Sequence, residues 1–219
     1  MPSEPVRFYF DFLSPYAYIA WTQIHPLAER YGRDIDAVPI LFAALLGTHG
    51  TKGPAEIPAK RLYVFKDVMR TARVLGLPLS PPPAHPFNPL LALRVASSDL
   101  DRPARRRLID GLYRATWGGG PGVNDPAVVA RIADEAGLDG AALVAGAERD
   151  EIKARVKAQT DEALALGAFG IPSILVDGEL FWGYDSFGHV ERRLAGRDPL
   201  DDLDLKRWKD LPASARRRV

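Results

Sequence analysis

Val6-Arg7-Phe8-Tyr9-Phe10-Asp11-Phe12-Leu13-Ser14-Pro15-Tyr16 is the stretch that decides the fold. Val6 to Phe12 is a run of β-branched and aromatic residues, which predicts a buried strand. Leu13-Ser14-Pro15-Tyr16 ends that run, because Ser followed by Pro is a helix N-cap and a first-turn residue. A helix is predicted from Tyr16 to Tyr31, stopped by Gly32. Ile35 to Leu41 then predicts a second strand, which completes a strand–helix–strand start.

Outward from this start the pattern changes. From Phe42 to Gly167 the chain shows helical periodicity and no convincing strand. Helices are predicted at Pro58 to Leu75, at Asn88 to Ser98 with an Asn cap and Pro89 at the first position, and at Pro103 to Trp117. Asp125-Pro126 opens another, which Gly137 stops. A short one follows Asp139-Gly140, and a long one covers Glu148 to Leu166 with Gly167 as its stop. Leu77 to Pro86 is Pro-rich and predicts a stiff, extended loop. Strand signals return at Ser173 to Val176, and Asp177-Gly178 is a hairpin turn signal leading to a return strand at Glu179 to Trp182. Asp185 is expected to cap a last helix ending near Leu194. Trp208 is expected to pin part of the charged tail, with the last few residues loose.

This order predicts an α/β chain with a thioredoxin-like fold and a large all-helical insertion domain. The boundaries expected are a discontinuous thioredoxin-like domain at 1–42 and 156–219, and a helical domain at 43–155.

Composition narrows the function. Basic side chains number 29 and acidic ones 28, a net charge of +1. That balance gives no field for recruiting nucleic acid. The runs Arg105-Arg106-Arg107 and Arg216-Arg217-Arg218 read as a solvated helix face and a chain end. The 219 residues include no cysteine, so the protein supplies no disulfide, thiol nucleophile or Cys-type metal site. The four histidines, at 25, 49, 85 and 189, lack metal-ligand spacing. No apolar stretch is long enough to span a membrane. Met1 to Pro5 does not read as a signal peptide, so a cytoplasmic protein is expected.

Two local features carry chemistry. At a helix N-terminus, backbone N–H groups and the helix dipole favour negative charge. Ser14 stands where a reactive cysteine would profit from that field. It is either a plain cap or a hydroxyl that donates to a thiolate brought by another molecule. Ile171-Pro172 opens the third strand. The proline is either a tolerated first strand position or a cis proline that turns the Ile171 backbone outward.

Taken together, FYFDFLSPYAY (Phe8 to Tyr18) and GAFGIPSILVDGELFWGYDSF (Gly167 to Phe187) resemble the 2-hydroxychromene-2-carboxylate isomerases and the related kappa-class glutathione transferases. Both belong to the DsbA-like branch of the thioredoxin superfamily. PAEIPAKR and FNPLLALR in the insertion match more loosely. The resemblance implies glutathione as cofactor, with Ser14 contacting and activating its sulfur. It implies that Ile171, held by Pro172, pairs with the cysteinyl backbone, and that Trp182, Gly183, Tyr184 and Asp185 hold the γ-glutamyl end. The implied reaction is reversible addition of the thiolate to an aromatic-derived small-molecule substrate, bond rotation, and elimination. The alternatives are a kappa-like transferase or peroxidase and a non-catalytic binding module. A homodimer is implied as well.

One segment departs from the family. Members acting on aromatic carboxylates carry a Lys and an Asn after the second strand, and those positions fall on Gly47 and Thr51 here. His49 and Lys52, or His85 and Asn88 in the second insertion loop, are the candidate substrate contacts. His49 and Lys52 read equally as an ordinary polar loop, and Asn88 as a helix cap.

Overall fold

The computed structural model describes residues 4–200 and 205–215. Its sheet has four strands in the order β2-β1-β3-β4. β1 (Val6–Phe10) pairs in parallel with β2 (Ile35–Pro39), Val6 opposite Ile35 and Phe10 opposite Pro39. On its other side β1 runs antiparallel to β3 (Ser173–Val176), with Tyr9 opposite Ser173. The hairpin partner β4 (Glu179–Trp182) forms the edge.

Both β1 and β2 stop short of the predicted Phe12 and Leu41. Ile40 N–H still donates to Phe10 C=O at 2.8 Å. Beyond that, the Asp11 carboxylate takes the N–H groups of Leu13 and Phe42, each at 3.0 Å, and both chains turn away from the ladder.

Strand alternation divides the interior. Val6, Phe8 and Phe10 point into the main core. There they meet Trp21 and Ile24 of α1 (Pro15–Glu29), Leu112 and Tyr113 of α5 (Arg102–Trp117) and Val190 of α9 (Phe187–Leu194). Tyr9, Val38 and Ile40 point the other way, into a smaller core. Leu45 of α2 (Phe42–His49), Ala163 of α8 (Asp150–Ala165) and Ile171 close that core. Phe8 and Phe10 are fully buried, and burying each ring contributes about 1.5–3 kcal/mol. A one-residue register slip would turn these rings toward the smaller core, so the sheet register is strongly specified.

Between β2 and β3 lie α2, α3 (Pro58–Val74), α4 (Leu90–Ala96), α5, α6 (Pro126–Glu135), α7 (Gly140–Gly146) and α8. α2 is a helix the sequence does not announce. It begins at Leu41 with no side-chain cap, and Leu45 is its one buried residue. With neither a cap residue nor an amphipathic stripe, the helical start is invisible in the pattern. Gly47 and His49 therefore sit in a helix and not in a loop. Asp185 also departs from expectation. It lies inside a 3₁₀ turn, Tyr184–Ser186, and α9 starts at Phe187 with no side-chain cap. Asn88 is not the N-cap of α4 as expected: Pro89 holds that place with no side-chain cap, and Asn88, one residue before it, accepts from Leu90 N–H at 3.0 Å through Oδ1. Trp208, in the short α10 (Lys206–Lys209), is 72 % exposed and so is not buried against the body as expected. The expected loose end and the Arg216-Arg217-Arg218 run lie outside the described residues.

Candidate functional site

Ser14 is the N-cap of α1. Its Oγ accepts from Ala17 N–H at 3.1 Å, which uses a lone pair and leaves the hydroxyl hydrogen to donate elsewhere. The first turn of α1 contains no acidic residue, so nothing within it offsets the positive helix end. An anion set against Ser14 would meet both.

The turn carrying Ser14 is fixed from three sides. Trp117 Nε1–H donates to Phe12 C=O at 2.8 Å. Asp11 holds Leu13 N–H from below. His85 Nε2 lies 2.9 Å from Leu13 C=O. A carbonyl only accepts, so that nitrogen carries the proton and the other ring nitrogen is bare. Burial lowers the His85 pKa, more than the bond to Leu13 raises it, and the neutral ring is favoured. Phe65 and Trp117 meet the imidazole edge-on, with centroids at 5.6 and 5.4 Å. Tyr16 adds a fourth tie, its hydroxyl donating to Asp67 Oδ2 at 2.7 Å and joining α1 to α3.

Asp11 is fully buried, and desolvation pushes its carboxyl up to about 7, against the opposing pull of three main-chain N–H groups. It joins the ends of β1 and β2 through the N–H groups of Leu13 and Phe42. The hydroxyl of Tyr113 is buried without a hydrogen-bond partner among the described residues, and its own pKa is raised by burial and by Asp11. Asp11 is not among the candidates that the motifs single out, although an acid within FYFDF is a plain signal of a buried carboxylate.

Antiparallel pairing of β1 with β3 brings Ile171-Pro172 to the same end of the sheet as Ser14. The Ile171–Pro172 bond is cis. Among the described residues, neither the N–H nor the C=O of Ile171 makes a main-chain hydrogen bond. Gly183 N–H donates to Pro172 C=O at 2.9 Å, which sets Trp182-Gly183 beside it. Gly183 has φ 84°, and a Cβ there would lie 2.3 Å from Asp185 Oδ1. The glycine thus lets the Asp185 carboxylate fold back over the chain. Asp185 is exposed, makes no hydrogen bond among the described residues, and is close enough to Tyr16 to act on its hydroxyl. Trp182 is 53 % exposed and lies against Phe169 at 5.0 Å. That exposure keeps its ring out of the hairpin core.

The other candidates fall in different places. His49 Nε2 lies 3.1 Å from Ala168 C=O and ties α2 to the segment before Ile171. Lys52 is exposed beyond α2, with no hydrogen bond or ion pair among the described residues. Asn88 is exposed and accepts from Leu90 N–H just before α4. Arg61, which the spacing did not single out, stands 5.7 Å over the Phe65 ring and acts on His85. It has no carboxylate partner among the described residues.

A family model for the DSBA-like thioredoxin domain matches residues 5–195. The chain belongs to that family. It is 27% identical over 203 residues to the 2-hydroxychromene-2-carboxylate isomerase of Pseudomonas putida, an alignment covering 91% of this chain and 98% of that one. It is 26% identical over 217 residues to glutathione S-transferase kappa 1 of Caenorhabditis elegans, covering 92% and 96%. A solved 2-hydroxychromene-2-carboxylate isomerase superposes with a TM-score of 0.81 at 25% identity, over 93% of this chain and 97% of that one. The relatives include isomerases and kappa transferases, and the thioredoxin fold with its helical insertion is common ground.

Proposed function

We propose that this protein is a glutathione-dependent isomerase of the 2-hydroxychromene-2-carboxylate isomerase type. The observation that carries the reading is Ser14, whose Oγ accepts from the helix and so has its hydrogen to give. When bound, glutathione supplies the nucleophile, a thiolate that adds reversibly to an electron-poor carbon.

The residues present fit that group. Ser14 O–H and the start of α1 favour a sulfur anion over a thiol, whose unperturbed pKa is about 8.5. The unpaired N–H and C=O of Ile171 suit an extended peptide backbone. The free carboxylate of Asp185 suits the γ-glutamyl ammonium, and Trp182, Gly183 and Tyr184 form the wall beside it. His85 and Trp117 hold the loop so that Ser14 is oriented before any ligand arrives, which spares reorganisation during reaction. Arg61 over Phe65 offers a cation and an aromatic face to an aromatic carboxylate, which compensates for Gly47 and Thr51. On this reading the substrate enters between the sheet domain and the helical insertion. A cytoplasmic homodimer is its setting, on the resemblance alone.

Two measurements test the reading. The ultraviolet absorbance of glutathione thiolate, titrated with and without protein, is expected to appear at lower pH in the complex. Turnover of 2-hydroxychromene-2-carboxylate is expected to require glutathione without consuming it. A bound thiol that titrates as in water would overturn the catalytic role of the site. Accumulation of a stable conjugate would replace the isomerase with a transferase.

A further inference from the structure

A second charged cavity lies away from Ser14. It has a volume of about 490 Å³ and is bounded by the second half of α1, the start of β2 and the first turns of α5. Trp21 and His25 line it, about 10 and 16 Å along the axis of α1 from Ser14 at the usual helical rise.

The wall from α5 is unusual. Arg102, Arg105, Arg106 and Arg107 all face the cavity, and Asp34 is the one carboxylate among its lining residues. These arginines occupy the opening turns of a helix that has Asp101 as its N-cap and no acidic residue in its first turn. Cations at that end oppose the helix dipole, and the single Asp101 carboxylate, which accepts from Ala104 N–H at 2.7 Å, is set against four guanidinium groups. Departures from local rules of this kind mark functional places.

Partners inside the chain satisfy only part of this charge. Arg102 pairs with Asp34 at 2.9 Å, and Arg106 reaches Glu29 at 3.4 Å. Arg107 Nε donates to Ala136 C=O at 3.0 Å, and Arg105 Nη2 to Ser98 C=O at 2.9 Å. Neither Arg105 nor Arg107 has a carboxylate within ion-pair distance among the described residues. Arg105 Nε and His25 Nε2 are both buried without a hydrogen-bond partner among the described residues. Burial and nearby Arg106 bring the His25 pKa down to about 4, so the ring is neutral near pH 7. Two orphaned nitrogens and an excess of guanidinium charge therefore line one cavity.

We propose that this cavity binds a small organic phosphate, held by Arg105 and Arg106 with His25 Nε2 on the inner wall. Asp34 and Glu29 offset two of the four guanidinium charges, and a phosphate monoester at neutral pH carries close to the two charges that remain. Planar guanidinium forks also match phosphate oxygens in pairs. The cavity falls in the usual range for small-molecule sites and has room for more than the phosphate group. Trp21, Ile35 and Pro103 provide apolar wall for the remainder.

Inorganic pyrophosphate is the probe, titrated calorimetrically into the full chain with NMR of the histidine rings in parallel. The His25 signal is assigned by its loss in His25→Gln. Saturable binding that shifts His25 and weakens at least tenfold in Arg105→Gln is the expected result. Arg106→Gln, on a half-exposed side chain, gives a second reading should Arg105→Gln fold poorly. The glutathione thiol titration is expected to be unchanged in both variants, which separates this site from Ser14. Absence of saturable binding, equal affinity in the folded variants, or shifts at His49 or His85 in place of His25 would overturn the proposal.

Discussion

Replacing Ser14 tests the proposed site most directly, because its side chain has two roles that different substitutions separate. As a cap, Ser14 Oγ accepts from Ala17 N–H at 3.1 Å. Losing such a cap to Ala costs about 1 kcal/mol, while Gly at the same position costs only a few tenths. As a donor, the hydroxyl would make a charge-assisted hydrogen bond to the thiolate, worth about 1.5–3 kcal/mol. At about 1.4 kcal/mol per unit, that is roughly one to two units on the glutathione thiol. Ser14→Ala is therefore expected to lower both stability and thiolate formation. Ser14→Gly should keep nearly all the stability while losing the same thiolate formation. Ser14→Thr keeps both a cap and a hydroxyl and should stay near wild type in each.

The assay is thiolate absorbance against pH at saturating glutathione, read beside denaturant unfolding of the same samples. The reasoning predicts that bound-thiol pKa follows the hydroxyl and that stability follows the cap. A thiol pKa unchanged in both Ala and Gly variants would refute it, and would leave the helix dipole as the sole source of any shift. A pKa that moves with stability in all three variants would also refute it, since the thiol would then be reporting a loosened helix.

Other residues give sharper structural outcomes. Asp11 has its folded pKa raised from 3.8 to about 7. Its contribution to stability is therefore greatest below pH 4 and is lost as pH rises to about 7. Asp11→Asn removes the titration, so its stability relative to wild type should climb across that window by an amount on the order of 4 kcal/mol; a difference that does not depend on pH would contradict the assignment. His85→Leu leaves Leu13 C=O without its donor and should cost about 1–3 kcal/mol. It should also blunt thiolate formation, which His85→Gln, able to donate, should partly restore; thermal unfolding and the thiol titration read the two effects. Gly170→Ala would place a Cβ 2.4 Å from Trp182 Nε1. Displacing the indole should weaken glutathione binding several-fold by calorimetry and quench or shift Trp fluorescence, and unaltered binding would remove Trp182 from the site.

What the chain discloses in advance follows from how each residue earns its position. Phe8, Phe10 and Ser14-Pro15 are legible because strand alternation and helix capping are local rules, and both elements begin where those rules place them. The hairpin at Asp177-Gly178 is legible for the same reason. α2 is not, since packing of Leu45 under the sheet holds it and no cap residue marks its start. The role of His85 was equally hidden: its partner Leu13 C=O is a main-chain atom 72 positions away, and no spacing rule connects a Pro-rich loop to the turn it anchors. Asp11 lies between these cases. An acid in a run of aromatics shows that a buried carboxylate must find donors, yet only the fold reveals that they are Leu13 and Phe42. The residues proposed to bear the chemistry, Ser14 and Ile171-Pro172, are each ambiguous alone. They come together as one proposed site because β1 and β3 run antiparallel and bring the end of one to the beginning of the other. The positioning of that site is thus a property of long-range pairing, and the groups that stiffen it are those a linear reading sees least.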